Sequence, residues 1–149
     1  MRIFYKLLNP MISTVLRYPL HGMLSRSIML ITMTGRKSGK TITTPVRYVR
    51  RGDMILCFTV KDIRWWHNLR GGAEVSLLIQ RKTSAYHACV LENDMDRVLD
   101  HLRYYFAKFP RDTMIYGVKH NRDGSLNEKT LQRAAVDMVV VEFTPEAAQ

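Results

Sequence analysis

No aspartate or glutamate occurs before Asp53, while ten basic residues do: Arg2, Lys6, Arg17, Arg26, Arg36, Lys37, Lys40, Arg47, Arg50 and Arg51. From Asp53 onward 13 bases meet 13 acids, so the whole net charge of +10 belongs to the first third of the chain. Such asymmetry calls for an anionic partner there: a phosphate-bearing cofactor, an anionic lipid surface or nucleic acid. Aromatic residues are scarce in the same stretch, Tyr48 being the only one between Arg26 and Gly52. Single-stranded nucleic acid is bound by interleaving bases with aromatic side chains, so this absence counts against it. Cysteine is nearly missing as well. Cys57 and Cys89 are too few for a disulfide framework, both lie in apolar runs, and each reads as a small buried hydrophobe. No N-glycosylation acceptor and no run of about 20 apolar residues occurs, so a reducing, cytoplasmic setting is expected. The five histidines, His21, His67, His87, His101 and His120, show no metal-ligand spacing with Cys, Asp or Glu. No nucleophile elbow or catalytic triad is visible.

With 149 residues and 46% hydrophobic content, the chain has the size and composition of one domain, residues 1–149. Residues 1–25 read as an N-terminal helical segment. Ile3, Phe4, Leu7 and Leu8, then Met11, Ile12, Val15 and Leu16, recur at helical spacing, and Asn9-Pro10 marks a second helix start. With Arg2, Lys6 and Arg17 on the polar side, residues 1–18 suit either packing on the domain or peripheral contact with the inner face of a membrane.

Beyond Ser27 the period becomes that of strands. Ile28–Met33 is a buried run, Thr41–Arg51 alternates as one strand, Gly52-Asp53 turns the chain, and Met54–Val60 returns. Arg64–Arg70 reads as a helical segment. Val75–Gln80 and Ala85–Leu91 form a second hairpin around Lys82-Thr83. Asp94–Phe109 is an amphipathic helix with Met95, Val98, Leu99, Leu102, Tyr105 and Phe106 as its stripe, stopped by Pro110. A loop through Tyr116 leads to a short helix near Glu128–Ala135 and a last strand, Met138–Phe143. About six strands joined mainly by hairpins, with few helices, argue for a mainly antiparallel barrel or sheet of the α+β class.

The segment Gly35-Arg36-Lys37-Ser38-Gly39-Lys40 is not a nucleotide-triphosphate loop. It has three residues between its glycines rather than four, and it opens a strand rather than a helix. Its chemistry still suits phosphate. Glycine N–H groups, the Ser38 hydroxyl and three cations are the donors such an anion takes.

That segment, with Met29–Thr34 before it and Thr43-Thr44-Pro45-Val46 after it, resembles the deazaflavin-dependent nitroreductase/quinone reductase family. The likeness continues through Tyr48–Asp53 and Trp65-Trp66-His67-Asn68-Leu69-Arg70. It implies a six-stranded split β-barrel of the flavin reductase type, with N-terminal amphipathic and flanking helices. It implies an oxidoreductase that uses the deazaflavin coenzyme F-420 or FMN to pass a hydride to a quinone-like or other conjugated acceptor.

By the same likeness Arg36, Lys37, Ser38, Gly39 and Lys40 hold phosphate or an acidic tail. Thr44, Pro45 and Val46 line the ring, and Thr59, Val60, Trp66 and Asn68 close its other side. Tyr116 is the expected substrate-facing proton donor. Ile42, where many members carry Arg, and the short segment between Thr59 and Trp66 keep FMN open beside F-420. A non-catalytic cofactor carrier and a basic membrane-surface module share the same motifs. Expected partners are a small quinone-like acceptor and a second copy of the chain, with no nucleic acid.

Overall fold

The structure is a computed structural model that describes residues 27–146. The N-terminal helical segment over residues 1–25, and the membrane contact expected of residues 1–18, lie outside the described residues.

Among the described residues there are seven strands, not six: β1 (Ile28–Thr34), β2 (Thr41–Arg47), β3 (Val49–Arg51), β4 (Met54–Val60), β5 (Ala73–Ile79), β6 (Lys82–Val90) and β7 (Met138–Pro145). They make one sheet in the order β2-β1-β5-β6-β7-β4-β3. The pairs β1–β2, β1–β5, β3–β4, β5–β6 and β6–β7 are antiparallel, as the α+β reading requires.

The extra strand arises because Thr41–Arg51 breaks at Tyr48. The Tyr48 N–H donates to the Ser27 carbonyl at 3.0 Å, while the buried Cys57 thiol donates to the Arg47 carbonyl at 3.2 Å. Both groups at the break are thereby satisfied, which a buried chain requires. The second hairpin also turns earlier than its sequence suggests. Ile79 pairs with Lys82, leaving Gln80 and Arg81 as a two-residue turn with φ of 48° and 70°. Such a turn needs left-handed backbone at both positions and ordinarily announces itself as Asn-Gly. Gln-Arg gives no such signal.

The chain divides into two compact units. Of the described residues, the first takes in residues 27–57, Arg64–Val90 and residues 141–146. Most of its core lies on one face of the sheet. The register sets Ile31 opposite both Thr44 and Leu77, so Met29, Ile31 and Met33 share a side with Val75, Leu77 and Ile79, and all six are buried. A 3-10 helix at Trp65–Leu69 contributes Trp66 and Leu69 to the buried set. Alternation along β6 buries Ala88 and turns the next residue outward, so Cys89 is exposed, contrary to its apolar context. Cys57 is buried as expected, and burial pushes its thiol pKa up.

The second unit comprises Phe58–Ile63 and Leu91–Val140. Helix α1 (Met95–Lys108) starts at Asp94, whose Oδ1 accepts from the Arg97 N–H at 3.2 Å, and it buries Val98, Leu99, Leu102, Tyr105 and Phe106. Met95, placed in the stripe by periodicity, is 45% exposed because it sits in the first turn; buried His101 joins the stripe instead. Helix α2 (Glu128–Asp137) is capped by Asn127 through the Thr130 N–H at 3.0 Å. The Arg103 guanidinium forks onto Glu128 at 2.9 and 3.1 Å, which ties α1 to α2 and holds the Glu128 carboxyl below its usual pKa.

Candidate functional site

The loop between β1 and β2 carries the cationic motif, and most of its backbone N–H groups are spoken for. The Gly35 N–H donates to the Lys40 carbonyl at 2.7 Å and the Gly39 N–H to the Gly35 carbonyl at 2.9 Å. The Lys40 N–H donates to the Ser38 hydroxyl oxygen at 3.2 Å, and the Arg36 N–H to Asn68 Oδ1 at 2.9 Å. The glycines therefore do not offer phosphate the N–H groups that the sequence suggested. Their role is steric. A Cβ on Gly35 would lie 2.7 Å from Ser38 Oγ, and Gly39 turns the chain at φ +67°. What remains for an anion is the side chains of Arg36, Lys37 and Lys40, the Ser38 O–H, and the N–H groups of Lys37 and Ser38. Residues 36–40 are all exposed.

Asn68 acts as the anchor of this loop. Its Oδ1 takes the Arg36 N–H, and its Nδ2 donates to the Trp65 carbonyl at 3.1 Å and reaches Met33 Sδ at 3.8 Å. One amide thus ties the loop to the end of β1 and to the 3-10 helix. Both ends of the Asn68 amide are thus engaged within the fold, which gives it a positioning role. Trp66 is likewise core. It is 3% exposed, its ring stacks on His67 at 3.9 Å, and the Arg70 guanidinium lies 4.9 Å from its centroid. Trp65 beside it is half-buried and is the tryptophan that retains open surface.

Thr44, Pro45 and Val46 do not share a face, because successive strand residues alternate. Thr44 joins Ile31 on the core side and is 3% exposed. Pro45 points the other way, with Thr43 and Thr32, whose hydroxyl oxygens are 3.0 Å apart across the β1–β2 ladder. Ser76 and Leu78 of β5 continue that side, opposite Thr32 and Leu30. Thr32, Thr43, Pro45, Ser76 and Leu78 are all half-buried and flank Leu30, which is 3% exposed, so they form a neutral, partly covered side of the sheet next to the cationic loop. Thr32, Ser76 and Leu78 were not singled out from sequence. A threonine breaking the apolar run of β1 was the available signal.

A separate concavity of about 160 Å³ in this unit is lined by Arg50, Leu77, Ile79, Lys82, Ser84 and Tyr86. It holds two cations and no acid. Burial raises the pKa of Tyr48 nearby in sequence, against the opposing charge of Arg50.

Thr59, Val60 and Tyr116 fall in the second unit. Thr59 and Val60 end β4 and are half-buried. Tyr116 is not in a loop but closes a 3-10 helix, Pro110–Tyr116, before Gly117 in left-handed geometry. Its ring packs 6.3 Å from that of Tyr105 and 6.0 Å from that of Phe106. The Tyr105 hydroxyl is engaged with Asp112 at 2.6 Å, and Tyr105 also stacks on Phe58 at 4.4 Å. Tyr105 is therefore a core residue.

Residues 16–121 match the model of the family described as F420H(2)-dependent quinone reductase. No curated protein matches the chain. Among solved structures, a protein of unknown function from Agrobacterium tumefaciens is similar with a TM-score of 0.57 at 13% identity, over 89% of this chain and 56% of that one. A putative pyridoxamine 5'-phosphate oxidase from Listeria innocua aligns with a TM-score of 0.52 at 11% identity, over 94% of each chain. A structure described as an F420-H2 dependent reductase is 21% identical over 79% of this chain and 94% of that one, with a TM-score of 0.49. The fold is a split barrel of the α+β class with seven strands.

Proposed function

The chain belongs to the F420H(2)-dependent quinone reductase family, and from that premise we propose that it reduces a quinone-like acceptor, with the β1–β2 loop holding the anionic part of the cofactor. It is an oxidoreductase, and coenzyme F-420 is its family's reductant. The observation that carries the proposal is the loop fixed by Asn68 with three exposed cations and no acidic residue anywhere before Asp53. This donor set fits a cofactor bearing phosphate and carboxylates.

When bound, reduced F-420 supplies a hydride. The residues of this chain supply the rest. Arg36, Lys37 and Lys40 neutralise the anionic tail, and the Ser38 O–H adds a directional donor. Asn68 keeps the loop in one conformation, so less ordering entropy is lost on binding. The side of the sheet carrying Thr32, Thr43, Pro45, Ser76 and Leu78 offers a neutral, partly covered surface of the kind a planar ring takes. Thr44 supports that surface from the core side. A quinone that accepts a hydride must also gain a proton to become the hydroquinone. Tyr116 is the proposed donor, supported by a half-buried phenol held in place by an aromatic cluster.

The test is anaerobic mixing of the protein with reduced F-420 and a water-soluble quinone, followed by absorbance, with reduced FMN in parallel. Equimolar loss of reduced F-420 and gain of hydroquinone is expected. Turnover with reduced FMN alone would transfer the assignment to a flavin, and binding without turnover would make the chain a carrier.

A further inference from the structure

We propose that the concavity on the β5–β6 hairpin is a binding site for a compact carboxylate with an apolar body, of about the size of benzoate. It is separate from the cofactor loop, and it stands whatever the acceptor of the reaction is.

Alternation builds the site. Lys82, Ser84 and Tyr86 are alternate residues of β6 and stand opposite Ile79, Leu77 and Val75 of β5, so all six take one side of the ladder. Leu77 and Ile79, both buried, make the floor, and Lys82, Ser84 and Tyr86 make one wall. Arg50 of β3 lines the hollow as well and brings a second cation. Among the described residues the side chains of Lys82, Ser84 and Tyr86 have no hydrogen-bond or ion-pair partner. Three polar groups thus line one hollow with their bonding capacity unspent in the fold. The position of Lys82 is enforced. Gln80 and Arg81 hold φ of 48° and 70°, left-handed backbone that neither side chain favours, and this turn sets Lys82 directly opposite Ile79. Such strain is characteristic of ligand clamps.

The hollow is not part of the cofactor site. Ser76 and Leu78 point to the other side of β5, so it lies across the sheet from the surface assigned to the ring. The β1–β5 ladder pairs Thr32 with Ser76 and Leu30 with Leu78, so Ile79 lies toward the start of β1. The cationic loop follows the end of β1, roughly 20 Å away along the strand.

Size and charge select the ligand. The volume of about 160 Å³ is close to the roughly 150 Å³ of a cavity that takes benzene, and well below the roughly 300 Å³ at which drug-sized ligands are enclosed. A nucleotide or a deazaflavin does not fit; one ring with one anionic group does. In the unit that holds the hollow, ten Lys and Arg meet four Asp and Glu among the described residues, and none of the four lines it. Residues 1–26 contain no carboxylate side chain, so that stretch of the chain does not complement the two cations. The Arg50 guanidinium matches the two oxygens of a carboxylate with its fork, and Lys82 adds charge. The Ser84 and Tyr86 hydroxyls can donate to the remaining lone pairs. The floor of Leu77 and Ile79 favours an organic acid over inorganic phosphate, which has no apolar part to lay on it.

The test titrates the full chain with benzoate, inorganic phosphate and benzyl alcohol, read by calorimetry and by backbone amide shifts. Benzoate should bind with millimolar affinity, shift the amides of residues 79–86 and leave those of residues 36–40 in place. Phosphate lacks the ring and benzyl alcohol lacks the charge, so each should bind at least about tenfold more weakly. Lys82→Met with Ser84→Ala should lower benzoate affinity by about tenfold or more, whereas Lys37→Ala with Lys40→Ala should leave it unchanged. Saturating benzoate should not displace F-420. The proposal is overturned if phosphate binds as tightly as benzoate, or if benzoate displaces F-420. It is overturned equally if the loop variant rather than the hairpin variant loses binding, or if benzoate at tens of millimolar shifts no amide of the hairpin.

Discussion

Replacing Asn68 with alanine separates the loop's anchor from its charge. The change removes the acceptor of the Arg36 N–H and the donor to the Trp65 carbonyl, two neutral hydrogen bonds at 2.9 and 3.1 Å. Each is worth about 0.5–1.5 kcal/mol net. The first is exposed, so water replaces Asn68 there and its loss falls at the low end. The second is part-buried and leaves a carbonyl half-satisfied, so it falls higher. The sum is roughly 1.5–2 kcal/mol, which for a chain of this length lowers Tm by roughly 3–8 °C. The loop then loses its fixed conformation, and ordering it again on binding should weaken F-420 affinity by about tenfold, equivalent to about 1.4 kcal/mol. The assays are thermal unfolding, hydrogen exchange at the Arg36 amide, and fluorescence titration with F-420. Asn68→Asp keeps the acceptor for Arg36 but sets an oxygen against the Trp65 carbonyl, so Tm should still fall while the Arg36 amide stays protected. Unchanged exchange and unchanged Tm in Asn68→Ala would refute the anchor.

Lys37→Ala with Lys40→Ala should do the opposite, lowering F-420 affinity by more than about tenfold and making it less salt-dependent, with Tm nearly constant because exposed charges contribute little stability. Tyr116→Phe should lower quinone turnover by roughly 10²-fold while leaving F-420 titrations unchanged; equal loss of both would place the phenol with the cofactor. Acid should loosen the tie between α1 and α2. Arg103 holds the Glu128 carboxyl below its usual pKa, so that contribution is present above the unfolded value and is lost as pH falls through the folded one. Urea midpoints of the native chain and Glu128→Gln should therefore differ at neutral pH and converge in acid.

Much of the sheet was legible because its signals are local. Gly52-Asp53 and the alternation around it fix β4, and Asp94 with Pro110 brackets α1. The break at Tyr48 was not legible, since the Ser27 carbonyl that captures its N–H is remote in sequence. Nor was the Gln80-Arg81 turn, where neighbouring strands impose a backbone that neither residue prefers. The site divided the same way. The family resemblance pointed to Arg36–Lys40 and Asn68 as cofactor contacts, but only three-dimensional bonding shows that the loop's N–H groups are largely spent within the fold and that Asn68 is a brace. Cys89 was misread because a strand's apolar context says which residues are apolar, not which side of the ladder each one takes.

The pairing of β6 with β7 has a kinetic meaning. β5 and β6 meet across two residues, whereas Val90 and Val141, register partners in the ladder, are separated by about fifty. Closing a loop costs entropy that grows with the logarithm of its length, so the first contact forms cheaply and the second late. Until it does, β6 is an open edge offering unpaired backbone groups to any extended chain nearby. Refolding at high protein concentration therefore exposes this chain to strand exchange between copies, and the intervening helices set how long that exposure lasts.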